Sequence, residues 1–304
     1  MVDTAVEGRN TVGGGEVAQV RRFNRAVTQR VGALHDHYLA RDRPLGEARV
    51  LWEIGPDGCD VRSLRARLDL DSGYLSRLLR SLEAAGLVAV GAGAGDRRVR
   101  RARLTAAGRA ERDLLDDRSE ALAAGMLAPL SPTQRDRLVA AMAEVERLLT
   151  ASLVEVEPTD PAHRDARWCL AEYIAELDRR FDVGFDAARS LPLDRDDMIP
   201  PAGAFLVARL RGEPLGCGGY KRQPDGAAYL KRMWVAPAAR GLGLGRRLLT
   251  ELEHHARAAG APLAQLETNG TLTEAIALYR SAGYAEVEPF NDEPYAHHWF
   301  AKPL

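Results

Sequence analysis

Lysine is nearly absent from this chain of 304 residues, in which only Lys221, Lys231 and Lys302 occur. Residues 1–150 contain no lysine, so their permanently charged basic side chains are all arginines. Modification of lysine ε-amino groups is therefore excluded as a means of regulating that part of the chain.

Cysteine and long apolar runs are also scarce. Cys59, Cys169 and Cys217 are far apart and odd in number, which argues against a disulfide framework or a metal site and favours reduced thiols. No apolar run approaches the ~18 residues that a membrane span requires. The first thirty residues include Asp3 and Glu16 and lack the apolar core of a secretory signal. We therefore expect a cytoplasmic protein with no membrane partner.

The sequence pattern changes near residue 150, and the length suggests about two domains. Beyond that point short β-type runs alternate with helices, and residues 151–157 alternate like a first strand. We predict two closely joined domains, residues 1–150 and residues 151–304. In the first, hydrophobic periodicity predicts helices at 17–42, 46–54, 61–68, 72–86, 105–127 and 132–150.

Residues 61–82 have the pattern of two helices joined by a tight turn at 69–71. In the second helix four leucines recur at i, i+3, i+4 and i+7, which places them on one face. Small and basic residues share the opposite face, as a helix in the major groove of DNA requires. An ordinary amphipathic surface helix has the same division. The residues on this polar face are Gly73, Ser76, Arg77 and Arg80.

A basic hairpin follows this helix. Residues 87–90 and 97–104 are two short β-like runs around a glycine-rich tip at 91–95. A helix-turn-helix followed by a basic hairpin is the winged-helix arrangement, in which the hairpin contacts phosphate or the minor groove. The arginines of this hairpin are Arg97, Arg98, Arg100, Arg101 and Arg103.

About residues 15–150 resemble the MarR family of transcriptional regulators. The resemblance rests on Asp96-Arg-Arg98, which matches the wing motif, and on Leu104-Thr-x-x-Gly108, which opens the next helix. It implies an N-terminal all-α winged helix-turn-helix domain with a β-hairpin wing, and a homodimer formed by the long helices at 17–42 and 105–150. Two recognition helices then read half-sites about one helical turn apart, ~10 bp, on double-stranded DNA. The expected DNA contacts are Ser72, Ser76, Arg77, Arg80, Arg97 and Arg98.

Residues 240–245 read Arg-Gly-Leu-Gly-Leu-Gly, between an apolar run at 229–235 and a helical stretch at 246–259. A strand, a glycine loop and a helix in that order present free backbone N–H groups to a pyrophosphate. The spacing fits neither a dinucleotide-binding motif nor a P-loop. By itself, the segment is equally compatible with a glycine-rich turn before a helix.

About residues 152–304 resemble the GNAT N-acetyltransferases. Arg-x-x-Gly-x-Gly at 240–245 matches their acetyl-CoA loop, residues 229–237 resemble their central strand, and residues 278–284 resemble a later helix-to-strand motif. The resemblance implies a C-terminal α/β (α+β) GNAT fold with a mixed central sheet, which uses acetyl-CoA to acetylate an unidentified amine. The expected cofactor-binding residues are Met233, Val235, Arg240, Gly241, Gly243, Gly245 and Arg246.

The resemblance also assigns catalytic roles. Backbone N–H groups of residues 233–235, where the family's central strand bulges, stabilise the developing oxyanion. Tyr279 is the expected general acid for the leaving thiolate, although its apolar helical face also suits a core tyrosine.

The general base is not given by a motif. Many relatives carry glutamate where this chain has Tyr229, and an asparagine common in the family corresponds to Leu272. Glu267, on the strand at 264–268, is the best local carboxylate for this role, and His297 and His298 are the next candidates. A surface glutamate and solvated histidines are the favoured alternatives, and water-mediated deprotonation needs no single base.

We therefore predict a transcriptional regulator fused to an acetyl-CoA-dependent N-acetyltransferase. In one alternative, which Tyr229 and Leu272 favour, the second half is a non-catalytic acetyl-CoA sensor that moves the DNA-binding helices. In another, the first half only dimerises an enzyme, and the arginine-rich hairpin argues against that idea.

Overall fold

The computed structural model describes the following parts of the chain: residues 13–33, 38–40, 42–92, 99–182, 184–191 and 194–304. The chain divides into two compact units, Met1–Asp136 and Arg137–Leu304. The division falls inside a helix, α6, that runs over Pro132–Ser152. Among the described residues, no helix is both long and apolar enough to cross a membrane.

The N-terminal unit has helices around a small antiparallel sheet with the strand order β1-β3-β2. This arrangement confirms the predicted helix-turn-helix, which a pair of antiparallel strands, β2 and β3, follows in the chain. Its helices are α1 (Gly14–Arg30), α2 (Leu45–Ile54), α3 (Val61–Leu68), α4 (Ser72–Ala84) and α5 (Ala106–Leu127), with a 3-10 turn at Tyr38–Ala40. Its strands are β1 (Cys59–Asp60), β2 (Val88–Ala92) and β3 (Arg100–Leu104).

One long helix over 17–42 was a wrong prediction. Helix α1 ends at Arg30 because Gly32 takes a left-handed conformation, with φ of 69°. The Ala33 N–H then donates to the Thr28 carbonyl at 3.1 Å, which closes the last turn. Of the residues that continue the helical periodicity, Tyr38–Ala40 form a separate 3-10 turn.

The helix starts follow the side-chain caps of the sequence. Asp60 caps α3, Asp71 caps α4 through the Tyr74 N–H at 2.8 Å, and Thr105 caps α5. Gly108 is required because a Cβ there would lie 1.9 Å from the Leu87 carbonyl oxygen. The Leu104-Thr-x-x-Gly108 motif thus fixes how α5 leaves the sheet.

The C-terminal unit is built on a seven-stranded sheet with the order β4-β5-β6-β7-β8-β10-β9. Strands β7 and β8 pair in parallel and the other neighbours are antiparallel, as predicted for a mixed sheet. Its strands are β4 (Val154–Pro158), β5 (Gly203–Leu210), β6 (Glu213–Arg222), β7 (Ala228–Val235), β8 (Leu263–Thr268), β9 (Ala285–Val287) and β10 (His298–Pro303). Its helices are α7 (Arg164–Arg180), α8 (Leu244–Ala258) and α9 (Thr273–Ser281), with 3-10 turns at Asp196–Met198 and Pro237–Ala239.

The sheet opens where β7 and β8 part. In the part of the chain that the structure describes, they pair only at Ala228 with Ala264 and at Tyr229 with Gln265. Both strands continue beyond these pairs, β7 to Val235 and β8 to Thr268. Their carboxyl-terminal halves therefore form an opening in the sheet, and the candidate site lies there.

Candidate functional site

The glycine loop between β7 and α8 offers a cradle of backbone donors. Within the described chain, no acceptor is recorded for the N–H groups of residues 241–246. Gly241 and Gly243 have φ of 82° and 73°, and a Cβ at either would meet nothing within 4 Å. Gly245 has a different role, because a Cβ there would lie 3.4 Å from Leu278 Cδ2. The loop has the donors and the space for an anion at the α8 N-terminus.

Arg240 is held by a buried carboxylate. Its Nη2 donates to both oxygens of Glu176, at 2.6 and 2.5 Å, and its Nε donates to the Val235 carbonyl at 3.2 Å. Trp234 Nε1 donates to the same carboxylate at 2.9 Å. Burial raises the pKa of Glu176, but the hydrogen bonds from Arg240 and Trp234 outweigh it and hold this pKa below its usual range. The guanidinium of Arg240 therefore holds the start of the glycine loop against α7 and β7.

Arg246 is also engaged within the protein. Its Nη1 donates to the Ser281 carbonyl at 3.3 Å, and its Nη2 donates to the Ser281 hydroxyl. Arg240 thus ties the loop to α7 and β7, and Arg246 ties α8 to the end of α9, while the backbone N–H groups of residues 241–246 have no acceptor recorded within the described chain.

All seven residues predicted to bind the cofactor line one cavity, which we call the donor cavity. Its wall also includes Tyr173, Leu177, Leu272, Ala275 and Tyr279. The cavity extends from the glycine loop along the carboxyl-terminal end of β7 to α9. The structure therefore brings together the residues that the sequence assigned to acetyl-CoA.

The bulge in β7 lies at the inner end of this cavity. Trp234 pairs with Cys217 and Lys231 pairs with Gly219, so Arg232 and Met233 together face Gly218. Arg232 takes a φ of 61°, as the extra residue of such a bulge often does. The bulge thus begins before Met233, the first of the predicted oxyanion donors, and Trp234 and Val235 have already returned to strand pairing.

A second cavity, which we call the acceptor cavity, meets the first at the bulge. The side chains that line both cavities are Tyr173, Leu177, Met233, Leu272, Ala275 and Tyr279. Two adjacent cavities that share one phenol and one strand bulge in their walls suit group transfer from a molecule in one cavity to a molecule in the other.

Tyr279 is buried at this junction, with its ring against Tyr284 and Phe300 at centroid distances of 5.9 Å each. Among the described residues, none is recorded as a hydrogen-bond partner of its hydroxyl. Burial raises the pKa of Tyr279 well above its ordinary value, and burial raises the pKa of Tyr173, which lines the same two cavities, to about 12. Both phenols stay protonated near neutral pH.

Glu267 lies in the acceptor cavity as part of a buried charged cluster. Lys231 Nζ lies 3.3 Å from Glu267 Oε1 and 2.9 Å from Glu293 Oε2. Burial raises the pKa of Glu267, and the nearby Lys231 charge only partly opposes that rise. Burial also acts to raise the pKa of Glu293, but the hydrogen bond from Lys231 outweighs burial, so the pKa of Glu293 is lowered.

Sequence reasoning missed three members of this site: Lys231, Glu293 and Glu176. Lys231 did give a signal, because a charged residue stands in the middle of an apolar strand. Glu293 follows β9 in a segment without periodicity, and Glu176 is one of several acidic residues of α7. Only the fold brings these two carboxylates to the cavities.

The other positions considered for catalysis lie elsewhere or are engaged. Tyr229 is buried, and its hydroxyl accepts from Asn291 Nδ2 at 3.0 Å. His297 Nδ1 accepts from the Gly270 N–H, and His298 Nδ1 lies 2.6 Å from Glu286 Oε1. Neither histidine is among the lining residues of the two cavities. Glu267 is thus the predicted base candidate that faces the acceptor cavity.

In the N-terminal unit, the leucine face predicted for α4 is buried, through Leu75, Leu78, Leu79 and Leu82. Arg77 and Arg80 are exposed on the other side, with the Arg77 guanidinium 5.6 Å from the Tyr74 ring centroid. Ser72 is exposed and Ser76 is half-buried. Arg97 and Arg98 of the predicted wing, with Asp96, lie outside the described residues.

Comparison with known proteins agrees with these two halves. A model of the acetyltransferase (GNAT) family matches residues 170–284, and a model of the MarR family matches residues 42–99. An IAA acetyltransferase of Azospirillum brasilense is 41% identical over 122 residues, which are 40% of this chain and 80% of that protein. The N-alpha-acetyltransferase RimI of Mycobacterium tuberculosis is 33% identical, over 38% of this chain and 73% of that protein.

Among solved structures, a putative acyl-CoA N-acyltransferase from Klebsiella pneumoniae is similar to half of this chain. The match has 28% identity and a TM-score of 0.41, and it covers 50% of this chain and 98% of that one.

Proposed function

Because the chain belongs to the GNAT acetyltransferase family and carries a MarR-family domain in its first half, we propose that it transfers an acetyl group from acetyl-CoA to an amine and that its first half binds double-stranded DNA. The observation that carries the enzymatic part is the junction of the donor and acceptor cavities at Tyr173, Met233 and Tyr279.

The hydrogen-bond donors and apolar walls of the donor cavity fit acetyl-CoA. The unpartnered N–H groups at 241–246 suit a pyrophosphate, and the apolar wall near Val235 and Leu278 suits the pantetheine chain. When bound, acetyl-CoA supplies a thioester whose carbonyl carbon is open to attack by an amine. The Met233 N–H at the bulge is the donor that we assign to the carbonyl oxygen as it becomes negative.

The acid and base roles follow from the two sides of the junction. Glu267, with its raised pKa, accepts the proton that an ammonium must lose before the nitrogen can attack. The C–N bond then forms as the C–S bond breaks. Tyr279 donates its proton to the sulfur and recovers one from the nitrogen, so that one proton in total leaves through Glu267 to solvent.

The sensor alternative rests on Tyr229 and Leu272, which replace residues common in the family. Glu267 weakens it, because this carboxylate stands on β8 in the acceptor cavity and supplies a base without a glutamate at 229. The experiment is to follow free thiol and acetylated product with the full chain, acetyl-CoA and a library of amines. Acetyl-CoA binding without product across the library favours the sensor.

We further propose residues 1–150 as a DNA-binding and dimerisation domain and residues 151–304 as the acetyltransferase domain. This boundary is supported by the end of α6 at Ser152, just before β4 begins at Val154. The exposed polar face of α4 supports DNA recognition by Ser72, Ser76, Arg77 and Arg80, and we assign Arg97 and Arg98 to the wing. DNA binding is tested by selecting duplexes from a random library with the full chain. The dimer is tested by measuring the mass of the protein in solution.

A further inference from the structure

Glu293 has an oxygen that nothing in the described protein satisfies. Its Oε2 accepts from Lys231 Nζ at 2.9 Å, Ser190 Oγ at 2.9 Å and the Leu191 N–H at 3.0 Å. Its Oε1 is buried and has no hydrogen-bond partner in the described chain, and only 5% of the side chain is exposed. A buried carboxylate oxygen without a donor is costly, so this atom points to a ligand that donates a hydrogen bond.

The charges around this oxygen favour a cation. Glu267, Lys231 and Glu293 form one buried cluster, whose formal charges leave one negative charge when both carboxylates are ionised. Glu293 stays ionised because its pKa is lowered. Arg232 also lines the cavity, but its guanidinium lies over the Tyr173 ring, 5.8 Å from the centroid.

The walls of the acceptor cavity favour an aromatic body. Phe185 and Tyr295 have ring centroids 4.9 Å apart, and Phe181 lies 5.7 Å from Tyr295 and 5.8 Å from Phe185. All three line the same cavity as Glu293. Aromatic walls beside a buried cluster with a net negative charge suit a flat apolar molecule that ends in an ammonium group.

We propose that the acetyl acceptor is an arylalkyl primary amine, whose ammonium group donates to Glu293 Oε1 while its ring lies against Phe185 and Tyr295. This inference rests on the proposed acetyltransferase function and names its substrate class. Glu293 anchors the nitrogen beside Glu267, which then takes the proton.

The test measures binding of 2-phenylethylamine to the full chain loaded with coenzyme A, by calorimetry, beside the neutral analogue 2-phenylethanol. We expect Glu293→Gln to weaken binding of the amine at least about tenfold, because a charge-assisted hydrogen bond is lost. Binding of the alcohol and of coenzyme A should be unchanged. The control is Glu213→Gln, since Glu213 is exposed and lines neither cavity.

A second variant keeps the test independent of Glu293 folding effects. Phe185→Ala should weaken 2-phenylethylamine more than n-butylamine, because only the former uses the aromatic wall. Equal binding of the amine and the alcohol, or an unchanged affinity in Glu293→Gln, overturns the proposal. Acetylation of other amines without binding of 2-phenylethylamine overturns this inference and leaves the acetyltransferase function intact. Glu293-dependent binding of 2-phenylethylamine without any acetyl transfer supports the amine site and overturns the acetyltransferase function.

Discussion

Arg240 Nη2 donates to both carboxylate oxygens of Glu176, at 2.6 and 2.5 Å, so the first residue of the glycine loop is tied to helix α7. The side chain that looks like a phosphate ligand in the sequence is therefore already paired inside the protein. This pair makes the shape of the loop depend on a carboxylate 64 residues away in the chain.

Glu176→Gln and Arg240→Ala should weaken acetyl-CoA binding by similar factors, because each removes the same brace. The double variant should be no weaker than the worse single one, since the two residues act as a unit. Titration calorimetry with acetyl-CoA measures all four proteins. If Arg240 instead binds phosphate directly, Arg240→Ala weakens binding strongly while Glu176→Gln leaves it unchanged.

Gly243→Ala should weaken acetyl-CoA binding and also lower the stability of the folded protein. Gly243 has φ of 73°, and an alanine in that region costs about 1–2 kcal/mol or moves the loop N–H groups away. The matched control is Gly212→Ala, where φ is 85° and a Cβ also meets nothing within 4 Å, but in the β5–β6 turn. Both variants should lower the melting temperature. Equal acetyl-CoA affinity in the two variants would contradict the role of the loop.

How much of this site was predictable depends on how local its signals are. The leucine face of α4 and the order of strand, glycine loop and helix both follow from short sequence spacings, and the structure has both. The role of the loop in binding acetyl-CoA stays a prediction. The end of α1 at Arg30 was missed because the helical periodicity continues past Gly32, where the backbone turns. Glu293 and Glu176 carry no local signal in the sequence. Only the three-dimensional packing leaves Glu293 Oε1 without a partner in the described chain and brings Glu176 to Arg240.

Tyr279→Phe should lower kcat about a hundredfold or more and leave the KM for acetyl-CoA nearly unchanged, since the phenol acts only when the thiolate leaves. Tyr284→Phe is the control, because Tyr284 packs against Tyr279 but is not among the lining residues of either cavity. Steady-state kinetics with the best amine of the library measure both. A normal rate in Tyr279→Phe, or an equal loss in Tyr284→Phe, would reject the acid role.

The rate should fall as the pH is lowered through the pKa of Glu267, since this group accepts a proton only when ionised. Burial raises that pKa, so the loss begins at a higher pH than the usual glutamate value of 4.5 implies. Glu293 has a lowered pKa and stays ionised over the same range. Glu267→Gln should slow the reaction and remove this acidic limb from kcat, while Glu213→Gln should retain it. An identical limb in Glu267→Gln would show that another group is the base.

Arg77→Ala should weaken binding to a selected duplex by about tenfold and reduce its dependence on salt by roughly one unit of log–log slope if Arg77 contacts a phosphate. Arg77 is exposed on the polar face of α4, while Leu75 and Leu78 hold the opposite face in the core. Arg49→Ala is the control, because Arg49 is an exposed arginine on α2 whose partner is Glu53 at 2.7 Å. Fluorescence anisotropy at several salt concentrations measures both variants. Because residues 1–150 contain no lysine, incubation with acetyl-CoA should not reproduce the Arg77→Ala defect by acetylating lysine side chains there. A loss of DNA binding on adding acetyl-CoA would have to come from ligand binding or from acetylation of another amine, such as the N terminus.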